Sequence, residues 1–128
     1  MTELAFASAT EIARRIRAKE ISATEALQYF LDRVDRYNKD INAIVVDSRQ
    51  AAKQDAEAID QAITDDKTNG QFIGVPMTVK ESYNLVGEAT TFGNPDWVDN
   101  VVSEDAEAVK RLKRSGVTVF GKPMSRWL

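Results

Sequence analysis

The sequence predicts an α/β fold in which amino-terminal helices are followed by part of a mixed, mostly parallel sheet. Residues 1–40 carry helix caps and apolar residues at helical spacing. From residue 41 to residue 128, apolar strand patterns alternate with helix patterns, which is typical of parallel sheets with crossover helices. Hydrophobic residues make up 43% and charged residues 29% of the 128 residues, as in a globular chain. We therefore expect a helical region at 1–40 and an α/β part at 41–128.

Two helices are predicted in the helical region. Ser8 with Glu11, and Ser22 with Glu25, have the Ser-x-x-Glu spacing of a capping box. Apolar residues recur at helical spacing after each box: Ile12 and Ile16 after the first, and Leu27, Phe30, Leu31 and Val34 after the second. Two separately capped amphipathic helices explain both patterns.

The α/β part contains three predicted strands and two predicted helices. The strands are expected at Ile41 to Val46, at 72–80 and at 117–121, and the helices after Ser48 and between Ser103 and Gly116. Pro76 lies inside the second strand and has no N–H to donate. We therefore expect that strand to lie at an edge of the sheet or to be distorted there.

The composition excludes several kinds of function. The net charge is −3, and basic and acidic residues are mixed along the chain, which argues against a nucleic-acid partner. There is no cysteine and no histidine. The chain therefore has no disulfide, thiol nucleophile, Ser-His-Asp triad or usual zinc centre. We expect no cofactor and no metal, and any catalytic base is a Lys, Asp, Glu or Tyr.

Two further patterns concern localisation. No apolar run approaches the roughly 20 residues that a membrane span needs. The first residues lack the charged-then-apolar order of a secretory signal. We expect a cytoplasmic protein with no membrane partner.

Lys80 ends the apolar run of the second strand and is followed by Glu81, Ser82, Tyr83 and Asn84. A lysine at a strand end is most often a surface residue whose methylenes cover apolar neighbours. The alternative is a placed base, which requires desolvation because a free ammonium with a pKa near 10.4 is a poor base at neutral pH. The pattern at this point leaves both interpretations open.

The segment after Lys80 also allows two interpretations. Gly87 and Gly93, with Thr90 and Thr91 between them, suit an anion-binding loop or a plain connecting loop. The aromatic residues of the carboxyl-terminal half suit an apolar pocket or ordinary packing: Tyr83, Phe92, Trp97 and Trp127.

Taken in order, the motifs of residues 72–122 resemble the amidase signature family. The matching positions are Gly74-Val75-Pro76-Met77-Thr78-Val79-Lys80-Glu81-Ser82, then Gly87, Thr90-Thr91 and Gly93, then Asp105-Ala106, Val109 and Arg111-Leu112, then Gly116 and Gly121-Lys122. Ser115 stands where the family usually has alanine. Several separate elements match, so the resemblance does not depend on one motif.

The resemblance implies hydrolysis of carbon–nitrogen bonds in small-molecule amides through a Ser, cis-Ser, Lys triad. Lys80 corresponds to the catalytic lysine, which deprotonates a bridging serine in a cis peptide. That serine relays a proton from the nucleophilic serine, and an acyl-enzyme forms while backbone N–H groups stabilise the oxyanion.

The chain departs from the family pattern near its end. Both serines and the glycine-serine-rich loop follow the matched segment in the family, whereas this chain ends at Leu128. Ser125 has no glycine-rich context, and Pro123 and Met124 replace the expected Thr and Asn. We therefore expect residues 1–128 to be a single, incomplete domain that is inactive by itself.

Two alternatives remain open. One is a truncated relative that acts as a non-catalytic interaction or assembly module. The other is a relative of the glutamine-hydrolysing tRNA amidotransferase subunit. In either case we expect self-association, because the strands at 72–80 and 117–120 are predicted to have unpaired edges beside Trp127 and Leu128.

Overall fold

The computed structural model describes residues 3–124. Its helices are α1 (Ala9–Arg17), α2 (Ala23–Ile41), α3 (Arg49–Thr64) and α4 (Glu107–Arg114), and its strands are β1 (Ile44–Asp47), β2 (Pro76–Thr78) and β3 (Thr118–Pro123). Two short 3₁₀ turns occupy Leu4–Phe6 and Pro95–Trp97. The predicted α/β class is confirmed. Three residues named above, Ser125, Trp127 and Leu128, lie outside the described residues.

The caps of the first two helices are formed to different degrees. The Ser22 hydroxyl accepts from the Glu25 N–H and the Glu25 carboxylate accepts from the Ser22 N–H, so this capping box is confirmed. The Ser8 hydroxyl accepts from the Glu11 N–H in the same way. The Glu11 carboxylate instead accepts from Arg14 and Arg15, so the first box is only half formed.

The sheet formed by the described strands has the order β1-β3-β2. Strand β3 pairs antiparallel with β1 and parallel with β2, so the sheet is mixed, with one pair of each orientation. The prediction that the strand at 117–120 has an unpaired edge is wrong, because β3 has a neighbour on each side. Residues 117–122 are all buried, and β3 is the centre of the sheet.

Two strands are shorter than predicted. Helix α2 continues to Ile41 and ends at Asn42, which takes a left-handed conformation that asparagine tolerates, so β1 begins only at Ile44. A turn in which the Val75 N–H donates to the Phe72 carbonyl delays β2 until Pro76. Strand β2 lies at an edge of the described sheet, and its register shifts after Met77, as the proline led us to expect.

Of the two predicted helix caps, Ser48 occupies the N-cap position of α3 without a capping hydrogen bond, and Ser103 does not cap α4. The Ser48 hydroxyl donates to the Glu88 carboxylate, and the Arg49 N–H donates to Asp47 instead. Helix α4 begins at Glu107 rather than after Ser103.

The buried apolar core includes Val119 and Phe120, which are neighbours on β3 and therefore lie on opposite faces of the sheet. Helix α3 packs against both α2 and β3. The buried apolar residues come from all parts of the described chain: Ile12, Ile16, Leu27, Leu31, Ala52, Ala56, Ile73, Val75, Val109, Val119 and Phe120 among them. Within residues 3–124, no helix is long and apolar enough to cross a bilayer.

Candidate active site around Lys80

Lys80 lies two residues beyond the end of β2, between two buried residues. Val79 and Glu81 are buried and Lys80 is exposed, so the chain alternates between the inside and the outside of the molecule here. The Lys80 side chain borders a cleft of about 240 Å³ between the end of β2 and α4. The cleft is lined by Met77, Thr78, Val79, Lys80, Tyr83, Ala108, Val109 and Leu112.

The backbone on both sides of Lys80 is fixed to the central strand. The Val79 N–H donates to the Gly121 carbonyl at 3.1 Å, and the Glu81 N–H donates to the Pro123 carbonyl at 3.0 Å. The Lys80 carbonyl accepts from the Tyr83 N–H at 2.9 Å and closes a turn. The sheet therefore determines where the Lys80 side chain leaves the backbone.

Glu81 is the buried acid next to Lys80. Its side chain is only 2% exposed. One carboxylate oxygen accepts from the Thr91 N–H at 2.6 Å, and the other accepts from the Phe92 N–H at 2.8 Å. The loop between Gly87 and Gly93 therefore does bind a negatively charged group, but that group is the Glu81 carboxylate of the same chain.

Lys122 is a second buried ionisable residue that contacts this loop. Its residue exposure is 0%, and its ammonium donates to the Ala89 carbonyl at 2.8 Å and to the Thr90 hydroxyl at 3.2 Å. Burial lowers the pKa of Lys122, while the negative charges of Glu81 and Glu88 oppose that change. The same loop thus contacts both a buried lysine and a buried glutamate.

Further hydrogen bonds hold the rest of the 84–102 segment. Thr90 and Asn100 are joined twice, from the Thr90 N–H to the Asn100 carbonyl and from the Asn100 amide to the Thr90 carbonyl. The Asp105 carboxylate accepts from the Val86 N–H and from Lys113. Burial raises the pKa of Asp105, but these two hydrogen bonds and the positive charges of Lys113 and Lys110 together hold the pKa below its usual value.

The aromatic residues near this loop are not in the core. Tyr83 and Phe92 are each 46% exposed and Trp97 is 47% exposed. Phe92 and Trp97 meet edge to face with ring centroids 6.0 Å apart, and Tyr83 lines the Lys80 cleft. The exposure of Phe92 and Trp97 argues against core packing, which was one of the two interpretations of the aromatic residues.

Sequence reasoning placed Lys80 at the strand end but missed the roles of Glu81 and Lys122. In the sequence, both stand out only as positions of a motif. A signal was available for Lys122 alone, which is an ionisable residue directly after the apolar and small residues of a predicted strand, whereas Glu81 follows the charged Lys80. Such residues are buried only when partners satisfy them. The partners here lie 10 to 33 positions away, so the pattern alone did not reveal them.

In the part of the chain that the structure describes, no group of three His, Cys, Asp or Glu residues is placed to hold a metal ion. The acidic side chains of the site accept hydrogen bonds instead: Glu81 from the loop, Glu88 from Ser48, and Asp105 from Val86 and Lys113.

The fold and this site agree with one family of proteins. The family model of amidases matches residues 25–127. The chain therefore belongs to the amidase family, and the resemblance stated above is confirmed.

Individual relatives are similar over most of this chain. It is 39% identical over 120 residues to a glutamyl-tRNA(Gln) amidotransferase subunit from Bdellovibrio bacteriovorus, covering 94% of this chain and 24% of the relative. It is 35% identical over 124 residues to the acylamidase of Rhodococcus erythropolis, covering 95% and 26%. The solved peptide amidase of Stenotrophomonas maltophilia superposes with a TM-score of 0.86 at 24% identity, over 93% of this chain and 25% of that one. The chain thus spans about a quarter of the length of these relatives.

Proposed function

We propose that residues 1–128 are the amino-terminal part of an amidase that hydrolyses small-molecule amides, with Lys80 as its base. The observation that carries this proposal is the position of Lys80. Lys80 lies just beyond the end of β2 in a chain of the amidase family. The backbone N–H groups on both sides of it, those of Val79 and Glu81, donate to carbonyls of β3.

The proposed chemistry transfers protons along the triad. Lys80 in its neutral form accepts a proton from the bridging serine, which accepts one from the nucleophilic serine. The nucleophile attacks the amide carbonyl, the carbon–nitrogen bond breaks as the leaving nitrogen gains a proton, and water then hydrolyses the acyl-enzyme. This chain supplies Lys80, and we propose that both serines come from the other three quarters of the enzyme.

The exposure of Lys80 is consistent with that division. A neutral lysine base requires burial, because burial disfavours the ammonium form. Lys80 is exposed within residues 3–124, and its cleft is open. We propose that parts of the whole enzyme outside these residues cover the cleft and bury the lysine.

It follows that residues 1–128 alone should show no amidase activity. Ammonia or hydroxamate formation from simple amides should equal that of a Lys80→Ala control of the same fragment. A rate above that control would show that another group, such as Ser82, acts as nucleophile, and would contradict the proposed division of the triad.

A chimera tests the proposed function itself. Residues 1–128 replace the matching quarter of the Rhodococcus erythropolis acylamidase, which is 35% identical to them. We expect the chimera to hydrolyse the acylamidase's substrates, whereas the acylamidase without the matching quarter should not. A folded chimera with no more activity than the shortened acylamidase would overturn the proposal and favour a non-catalytic assembly module.

The second candidate is a glutamine-hydrolysing amidotransferase subunit with protein and tRNA partners. The observation that favours it is the 39% identity to the Bdellovibrio bacteriovorus protein. Grafting residues 1–128 into the Bdellovibrio bacteriovorus protein distinguishes the two candidate functions. If the graft retains a larger fraction of the parent's glutaminase activity than the first chimera retains of its amidase activity, the second candidate is favoured.

A further inference from the structure

We propose that Glu81 and Lys122 are positioning residues that hold the 89–93 loop against the ends of β2 and β3 and thereby orient Lys80. The inference rests on the proposed function for the role of Lys80. The loop, the two buried ionisable side chains and their hydrogen bonds are observed independently of that role.

The first step is that two buried ionisable side chains, Glu81 and Lys122, contact the same short segment of the chain. A buried charge is costly unless hydrogen bonds or an opposite charge compensate it. Glu81 has two backbone N–H donors, from Thr91 and Phe92, and Lys122 has two oxygen acceptors, from Ala89 and Thr90. All four partners belong to consecutive residues of the loop, so the two side chains fix the same piece of backbone.

The second step is the conformation that they hold. Phe92 has a φ of 54°, in the left-handed region that is uncommon for a bulky side chain. The Glu81 carboxylate accepts from the N–H of Phe92 and from the N–H of the residue before it. The loop hydroxyl of Thr91 accepts from the Gly93 N–H. These bonds stabilise a turn that the sequence alone disfavours.

The third step connects the loop to Lys80. Glu81 follows Lys80 directly, and because its side chain points inward to the loop, the side chain of Lys80 is placed on the opposite side. The Glu81 N–H is also bonded to the Pro123 carbonyl, next to Lys122. A rotation of the backbone that redirected Lys80 would therefore break the Glu81 contacts with both the loop and β3.

The test uses residues 1–128 and amide NMR. In wild type, the Thr91 and Phe92 N–H groups should show scalar coupling to the Glu81 carboxylate carbon. In Glu81→Gln an NH₂ group, which is a donor, replaces one carboxylate oxygen, and the negative charge is lost. Hydrogen exchange of the Thr91 and Phe92 amides should therefore accelerate by a factor of about 10 to 100. Contacts between the Lys80 methylenes and Tyr83 or Leu112 should weaken in the same variant.

Glu88→Gln is the matched control. Glu88 also lies near Lys122 but accepts from Ser48 and not from the loop amides, so its loss should leave the Thr91 and Phe92 exchange and the Lys80 contacts unchanged. Unchanged exchange and Lys80 contacts in Glu81→Gln would overturn the proposal. If Glu81→Gln does not fold, the wild-type measurement decides, because absence of the coupling at both amides also overturns it.

Activity provides a separate readout. In the acylamidase chimera, Glu81→Gln should lower kcat with little change in KM, because a misdirected base slows the chemical step rather than substrate binding. An unchanged kcat would overturn the proposal. A chimera that is inactive with Glu81 intact would instead contradict the proposed function, and the NMR result would still stand or fall by itself.

Discussion

At the scale of single residues, Lys122 shows how the described chain stabilises its site. Replacing it with methionine keeps an apolar stem of similar length but leaves the partly buried Ala89 carbonyl without its 2.8 Å donor and Glu81 without a nearby cation. We expect Lys122→Met to lower the free energy of unfolding by about 1–3 kcal/mol. Urea denaturation measures this, with exposed Lys39→Met as the control. A loss no larger than that of the control would contradict the assigned hydrogen bonds.

The pH dependence of stability gives a second prediction for Lys122. Burial holds its pKa in the folded state below the usual 10.5, so above that lowered pKa the unfolded chain binds more protons than the folded one. The free energy of unfolding should therefore gain a contribution as pH rises towards 10.5, and Lys122→Met should lack it. The difference between the two proteins across that alkaline range, measured by urea denaturation, checks the sign. An identical pH dependence of the two proteins would contradict it.

The site was predictable from sequence only in part, for a physical reason. The neighbours of Lys80, an apolar strand followed by polar residues, left a placed base as one of two interpretations, and only the resemblance of the whole motif series implied a catalytic lysine. The partners of Glu81 and Lys122 are three backbone groups of a loop and the Thr90 hydroxyl, and a backbone group has no residue type to recognise. Tertiary packing decides which N–H or carbonyl contacts a buried charge. The contact between the loop and the Glu81 carboxylate could therefore be seen only in the structure.

At the scale of the elements, the ion pairs of Glu11 with Arg14 and Arg15 near the start of α1 should stabilise the fold less at acidic pH. Hydrogen bonds from Arg14 and Arg15 lower the pKa of Glu11 to about 2, from an ordinary value of 4.5. Because the folded-state pKa is the lower one, the stabilisation is fully present above pH 4.5 and is lost as pH falls through about 2. Glu11→Gln should therefore be less stable than wild type near neutral pH, and the difference should vanish near pH 2.

Thermal unfolding between pH 2 and 7 checks this prediction. Glu57→Gln, which removes an exposed carboxylate on α3, serves as the control. A difference between Glu11→Gln and wild type that is constant over the whole range would mean that Glu11 contributes packing rather than charge.

The elements themselves were predictable in type and order, but less so in extent. Helices α1 and α2 were found because their caps and apolar stripes are local. The limits of β1 and β2 were misplaced where local backbone conformation overrides the pattern, as at Asn42 with its positive φ and in the turn from Phe72 to Val75. Propensity sets the type of an element, and tertiary contacts set where it stops.

At the scale of the whole molecule, self-association of the fragment remains a prediction. Strand β3 is paired on both sides, so any association must use other surfaces. Strand β2 is a short edge that begins with Pro76, and the adjoining segment exposes several apolar residues: Tyr83, Val86, Phe92, Trp97, Val98 and Val101. Exposed apolar groups of this kind favour association.

We expect light scattering to show a dimer of residues 1–128 at micromolar concentration. Replacing both Val98 and Val101 with lysine should shift the population towards monomer, because charged residues are disfavoured in the core of an interface. Phe6→Lys, which alters an exposed residue of the amino-terminal 3₁₀ turn, should not. A strictly monomeric wild type would defeat the prediction.

The role of Lys80 as the base of the triad is tested most directly by kcat in the acylamidase chimera. Lys80→Ala should lower kcat by a factor of about 100 to 10,000 while circular dichroism shows an unchanged fold, because the serine relay loses its proton acceptor. Exposed Lys39→Ala is the matched control and should retain the activity of the chimera. A Lys80→Ala chimera that turns over at nearly the rate of its parent would contradict the assignment of Lys80.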